Sequence, residues 1–468
     1  MLNVLLALLL CFARPFEEPV SWAGAVEIPD GTKLEFSVEL KHDSGTITIP
    51  MQHVKDLPLA NVTVTDKQMK FALPSVGAAW ELKLSDDGQS ASGVLRQGAE
   101  LKTTLKRLAA GESAVKELKR PQEPKPPFPY ETSEVKFENK AGGATLAGTL
   151  SLPRGKGPFP CVVMVTGSGP QDRDESLLGH RPFLVIADHL TRAGIAVLRY
   201  DDRGIAHSTG NFATATSDDF AADALAGIAF LKTRTELDPR KLGIVGHSEG
   251  GLIAPMCAAQ SKDVAFIVLL AGTGMRGAEL LPLQGKLINL ATGMSAADTE
   301  REEHKSAGFF ALMLAGKSDT ELKEAIRVEA LKELKAAPES KNLSEAELAK
   351  QADKVVVEQS GSVLSPWFKR FVALDPRENL LKVRCPVLAL NGEKDLQVPP
   401  KENLAGIRKA LEEAGNKDVT LRELPGLNHL FQTCKTGSPA EYASIEETFS
   451  PLALEAMTAW IRKHTGLD

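Results

Sequence analysis

Between Lys241 and Met256 the chain reads KLGIVGHSEGGLIAPM: an apolar run, a Gly-His-Ser-Glu-Gly-Gly break, and a resumption with helical character. The pattern predicts a buried strand, a sharp turn that presents Ser248, and a helix running back under the sheet. A serine at the tip of such a turn sits on strained backbone. Strand and helix approach so closely there that Gly246 and Gly250 leave no room for side chains. In a chain with 38 glycines a chance G-x-S-x-G is not rare, so the position between strand and helix, more than the pentapeptide, gives it weight.

The flanking sequence alternates between strand and helix patterns. EVKFE and ATLAGTLSLP around Gly142-Gly143 read as a hairpin, followed by strands at Cys161 to Thr166, Ala196 to Tyr200, Leu242 to Gly246 and Ala265 to Leu270. Between them lie helices at Pro182 to Ala193, stopped by Gly194, and at Asp218 to Thr233 behind Ser217 as N-cap. Such alternation implies a mostly parallel sheet covered on both faces, with ligands at the carboxyl ends of its strands. The pattern pauses from Met275 to Asp375, which is rich in Ala, Leu, Lys and Glu. Capping signals fall at Ser295 and at Ser344 with Glu347, and Gly361 reads as a stop. We expect a helical insertion over the strand ends, placed to act as a cap. Strands at Pro386 to Asn391 and Val419 to Leu424 and a helix from Pro451 to Lys463 complete the sheet.

Upstream, residues 26–110 contain short alternating stretches such as LEFSVEL, TITIPM and WELKLS, broken by turn signals at Asp87-Gly88 and Ser92-Gly93. They predict a small antiparallel β domain. A charged, helix-like piece after Gly111 and the proline-rich RPQEPKPPFPY form a linker over 111–130, so the α/β domain spans 131–468. The apolar core from Val4 to Ala13 is too short to span a bilayer and suits a signal peptide over residues 1–25, with Ala23-Gly24-Ala25 as cleavage site. No Lys or Arg precedes that core, which keeps a cytoplasmic protein as the alternative to an exported one. At a net charge of -6 the chain offers no electrostatic footprint for nucleic acid. Its five cysteines show no C-x-x-C or Cys/His spacing, so neither a zinc site nor a disulfide framework is indicated.

A serine hydroxyl is a poor nucleophile at neutral pH and needs a base within hydrogen-bond reach, with a third group to orient that base. His429 in LPGLNHLF falls just past the last strand, and Asp395 in NGEKDLQVP just past the strand before it, with Glu393 as substitute acid. The chain order Ser248, Asp395, His429 is that of a known serine-hydrolase triad order. His247 adjoins the serine, but its side chain should leave on the other side, so it is assigned to packing. His180, His189 and His207 fall near the strand ends as pocket-lining or surface residues. Oxyanion donors are expected at the backbone N–H of Glu249, where helix-start amides are unpaired, and of Ser168 in VTGSGPQDRD, with Gly169 as runner-up. Asp172 occupies the third glycine position of that loop, which argues against a dinucleotide site.

Taken in order, VTGSGPQDRD, RYDDRGIAHSTG, GHSEGG, NGEKDLQVP and LPGLNHLF resemble the bacterial α/β-hydrolase serine esterases whose catalytic domain follows a small β domain. The similarity runs from about Tyr130 to Asp468. It implies an α/β-hydrolase fold with Ser248 as nucleophile, His429 as base and Asp395 as orienting acid, without metal or organic cofactor. Within the Y-D-D-R-G-x-G-x-S-x-G loop this chain has Ala206-His207 where a glycine and a variable residue are usual. The expected reaction is hydrolysis of small carboxylic esters, with short acyl chains, through an acyl-enzyme. The same machinery serves peptidases and acyl-thioester hydrolases or transferases, and a non-catalytic binding protein on this scaffold is the alternative of another class.

Overall fold

A computed structural model describes residues 19–467 apart from 28–32, 42, 50–53, 75–76, 98, 110–118 and 338–339. The apolar core from Val4 to Ala13 and most of the charged piece after Gly111 lie outside the described residues. The chain divides into two compact units, Met1–Lys119 and Arg120–Asp468.

The first unit is a sheet of nine strands: β1 (Val20–Glu27), β2 (Lys33–Lys41), β3 (Ser44–Ile49), β4 (Val54–Pro58), β5 (Ala60–Val64), β6 (Gln68–Leu73), β7 (Ala78–Leu84), β8 (Ser90–Gln97) and β9 (Ala99–Arg107). Their order is β4-β3-β2-β1-β9-β8-β7-β6-β5. Alternation sets which side chains turn inward: β7 buries Ala78, Trp80 and Leu82 while Glu81 and Lys83 face out. Trp80 stacks on Phe71 at 5.1 Å and meets Phe36 at 5.7 Å, and Trp22 from β1 is wholly buried in the same core.

The sheet starts at Val20, not near Val26. β1 pairs with β2 and β9, and the expected cleavage bond after Ala25 joins Ala25, opposite Glu35 and Thr104, to Val26, opposite Leu34 and Thr103. Gly24 has a packing role in this strand, since a Cβ there would lie 1.8 Å from the Thr104 carbonyl oxygen.

The second unit opens with the hairpin β10 (Glu131–Asn139) and β11 (Ala144–Leu152). It continues through β12 (Phe159–Val165), α1 (Pro182–Arg192), β13 (Ala196–Tyr200), α2 (Ser217–Leu231), β14 (Leu237–His247), α3 (Glu249–Gln260) and β15 (Phe266–Leu270). Five helices of the expected insertion follow: α4 (Gly277–Ala291), α5 (Ala296–Leu314), α6 (Asp319–Ala336), α7 (Glu345–Val363) and α8 (Pro366–Ala373). The short α9 (Arg377–Leu380), β16 (Val387–Gly392), α10 (Pro400–Glu413), β17 (Val419–Leu424) and α11 (Pro451–Thr465) complete it. Strand order is β10-β11-β13-β12-β14-β15-β16-β17, parallel from β13 to β17 and antiparallel at the β10-β11-β13 edge. The central strands are apolar on both faces because each face carries helices: α2, α3 and α10 pack on one, α1 and α11 on the other.

Two helix boundaries differ from expectation for identifiable reasons. The N-cap of α2 is Thr216, whose amide and hydroxyl both donate to Asp219, because the Ser217 hydroxyl is engaged by Glu249. Helix α7 runs through Gly361 to Val363, in open space where glycine is tolerated without ending the helix. Of the cysteines, Cys161 and Cys257 are buried as small apolar residues, and Cys385 and Cys434 are partly exposed. Among the described residues no helix is long and apolar enough to cross a membrane.

Candidate active site

β14 ends at His247 and α3 begins at Glu249, which leaves Ser248 to make the turn, at φ +53° and ψ −113°. A positive φ with this ψ is sparsely populated for a residue with a Cβ and costs on the order of 1–3 kcal/mol. The surroundings hold it there. A Cβ on Gly246 would lie 2.0 Å from the Gly250 carbonyl oxygen, one on Gly250 would lie 2.1 Å from that of Val165, and the Ser248 N–H donates to Leu270 O at 2.8 Å. Ser248 is partly exposed while His247 and Glu249 on either side are buried.

Asp395 and His429 meet just past the ends of β16 and β17. His429 Nδ1 lies 2.9 Å from Asp395 Oδ2, with both side chains buried. The carboxylate is fixed independently of the histidine: Oδ1 accepts the N–H groups of Gln397 and Val398 at 2.8 Å, and Oδ2 accepts Asn391 Nδ2 at 3.2 Å. Glu393, the substitute acid, accepts the Gly426 N–H at 2.8 Å and so anchors the loop leading to His429. Asp395 is therefore the acid in contact with the histidine.

His247 is buried and packs against other rings, as expected, and it also carries hydrogen bonds. Its ring centroid lies 4.9 Å from that of His429, its Nε2 donates to the His429 carbonyl oxygen at 3.0 Å, and its Nδ1 is 3.0 Å from Glu175 Oε1. The elbow serine is thus one residue from a ring that touches the Asp395–His429 pair. Burial works against protonation of His247, but Glu175, the His429 carbonyl and the Asp395 charge together outweigh it and raise its pKa.

The loop after β12 passes over the elbow. A Cβ on Gly167 would lie 3.3 Å from Ser248 Cβ, and the Gly167 N–H is taken by Glu175 Oε1 at 2.6 Å. Ser168 is exposed, and Gly169 adopts φ +102°. Asp202 steadies the loop by accepting Thr166 Oγ1 and the Gln171 N–H, each at 3.0 Å. Burial pushes its carboxyl up to about 8. The charged residues of VTGSGPQDRD and RYDDRG thus build the loop's support: Arg173 holds Asp201, Arg199 pairs with Asp174 in the interior, and Arg203 binds Asp223 at 2.7 Å.

Glu249 carries a second contact set. Its buried carboxylate accepts Ser217 Oγ at 2.7 Å, Trp367 Nε1 of α8 at 2.8 Å and the Ser168 side chain, which ties the helical insertion to the elbow. Burial raises its pKa, against the pull of those donors. Sequence reading missed Glu175, Asp202 and Trp367. An acidic residue shortly after the G-x-G loop and the paired aspartates were visible, but which of them turn inward was not.

His180 lies inside the protein, its Nδ1 2.9 Å from Thr448 Oγ1 and its Nε2 3.1 Å from Tyr442 O. It links the loop before α1 to the loops near the C-terminus. His189 is half-buried on α1 and His207 is exposed.

Esterase EstD of Thermotoga maritima is 35% identical over 124 residues, 26% of this chain and 30% of that protein. Thiohydrolase apmlB of Arthrinium phaeospermum is 31% identical over 141 residues, 29% of this chain and 42% of that protein, so the matches span less than half of either relative's length. Among solved structures, the Pyrococcus furiosus esterase Pf2001 aligns with a TM-score of 0.41 and 14% identity over 71% of this chain and 93% of that one. The α/β hydrolase GrgF from Penicillium sp. sh18 aligns at 0.44 and 16% over 72% and 99%. The Hydrolase_4 family, described as "Serine aminopeptidase, S33", matches residues 182–433, over half the chain and every element from α1 to the loop bearing His429, and the protein belongs to that family of α/β hydrolases.

Proposed function

We propose that the protein is a serine hydrolase of small carboxylic esters with short acyl chains. The His429–Asp395 contact at 2.9 Å beside a strained elbow serine carries this reading. Asp395 accepts from Nδ1–H of His429 and so leaves Nε2 free of its proton to act as base. Ser248 Oγ attacks the ester carbonyl while Nε2 takes its proton. The backbone N–H groups of Glu249 and Ser168 receive the oxyanion, and the proton then goes to the departing alcohol. Water repeats the sequence on the acyl-enzyme and releases the acid.

The names of Esterase EstD and Thiohydrolase apmlB agree with acyl transfer to water. The family's description as serine aminopeptidases favours a second reading, cleavage of amino-terminal residues from peptides. Turnover of short-chain aryl esters, aminoacyl arylamides and acyl thioesters side by side decides between them; faster turnover of the arylamides would displace the esterase reading. Ser248→Ala and His429→Ala should each lower kcat by roughly a millionfold, because such groups act as a unit. Loss of fluorophosphonate labelling in Ser248→Ala checks the nucleophile directly.

Export belongs to the same proposal, with the cleavage bond ahead of β1. Amino-terminal sequencing of the protein recovered from the cell envelope and medium tests it: recovery only from the cytoplasm with an unprocessed start would contradict export, and a start at Val26 would return the cleavage bond to Ala23-Gly24-Ala25.

A further inference from the structure

The Glu175 carboxylate touches both sides of the proposed site. One oxygen, Oε1, receives the Gly167 N–H at 2.6 Å and lies 3.0 Å from His247 Nδ1; the opposite ring nitrogen donates to the backbone carbonyl of His429 at 3.0 Å. A carbonyl oxygen accepts only, so Nε2 carries a proton and Nδ1 is the ring nitrogen turned to the Glu175 carboxyl group. Glu175 is buried, and its backbone is left-handed at φ +52°. Strain of that kind persists only where the surroundings over-determine it, and it concentrates at functional sites. With the Gly167 N–H taken by Glu175, the peptide plane that carries it is fixed next to the one that carries the Ser168 N–H.

We propose that Glu175 is a positioning residue: through Oε1 it sets the oxyanion loop at Gly167, and through the His247 ring it sets the backbone of His429, so that the two loops hold a common register around Ser248. This rests on the assignment of Ser248 and His429 above. The consequence is selective. Substrate binding depends on the pocket, while stabilisation of the tetrahedral intermediate depends on both loops at once.

The test compares Glu175→Ala and Glu175→Gln in the full-length protein, using a short-chain aryl ester as substrate, an alkyl boronic acid that forms a tetrahedral adduct on the serine, and the carboxylic acid product as a ground-state ligand. Glu175→Ala should lower kcat on the order of 100- to 1000-fold, the range for loss of one oxyanion contact. KM should stay within about threefold, boronate affinity should fall in step with kcat/KM, and product affinity should hold. Glu175→Gln keeps an acceptor for the Gly167 N–H and should recover kcat to within roughly tenfold of the parent. If Glu175→Ala does not fold, Glu175→Gly, which relieves the left-handed backbone, replaces it with the same expectations. A kcat within twofold of the parent, or a boronate affinity that does not move, overturns the proposal. So does a glutamine variant as impaired as alanine. Ser248→Ala run in parallel separates the failures: if it retains turnover the site assignment is wrong, and if it is inactive while Glu175→Ala is unimpaired only the positioning role is rejected.

Discussion

Ala206 adopts φ +45°, the conformation a glycine supplies without cost, at the position where related loops usually carry one. The residue is thus strained to fit its loop. Ala206→Gly should therefore stabilise the hydrolase unit by about 1 kcal/mol, read as a higher midpoint in denaturant unfolding. An unchanged or lower midpoint would contradict that reading. Asp202 offers a different test. Its carboxyl is pushed up to about 8 from an ordinary value of 3.8, first by burial. Between those values the folded chain holds a proton that the unfolded chain releases. The stability linked to that proton is complete below the ordinary value and is lost as pH rises through the folded one. Melting temperature measured from pH 4 to 9 should fall more steeply with pH in the parent than in Asp202→Asn, which has no proton to lose there. Parallel curves would show that Asp202 does not titrate in this range.

At the scale of elements, the contact between Glu249 and Trp367 makes the insertion part of the elbow's environment. Trp367→Phe keeps most of the ring packing but leaves a buried carboxylate short of a donor, at a cost of about 1–3 kcal/mol. We expect a fall in kcat on the order of tenfold, together with an earlier unfolding transition, measured by steady-state kinetics and thermal melts on one preparation. What the sequence revealed divides along similar lines. The elbow was readable because Gly246, Gly250 and the surrounding apolar run obey a local steric rule, now visible as would-be Cβ contacts near 2 Å. The strand-and-helix order, the helical character of the insertion and the positions of Asp395 and His429 after their strands follow from periodicity and turn chemistry in the same way. Partner choice across the fold was not readable. Glu175 meets His247 across 72 residues and Trp367 meets Glu249 across 118, and no local pattern marks an acid that will turn inward. The packing of His247 was readable but its partners were not, because strand alternation says which way a side chain leaves, not what waits for it there.

At the scale of the molecule, the leading sheet depends on its first strand. Val20–Glu27 is hydrogen-bonded on both sides, and Trp22 lies at the centre of that unit's core. A chain begun at Val26 should lose the leading unit's cooperative unfolding transition, since removing one buried Trp side chain already costs roughly 3–5 kcal/mol. Limited proteolysis should then degrade the region ahead of Arg120 while the remainder persists; protection equal to that of the parent would show that β1 is dispensable. The placement of β1 between β2 and β9 has one more consequence, in the order of synthesis. A polypeptide leaving the ribosome amino end first presents β1 long before its second neighbour at Ala99–Arg107 exists. One edge of that strand must wait until about eighty further residues have been translated. Closure of the sheet therefore coincides with arrival of the proline-rich spacer, and the two halves of the protein are born one after the other.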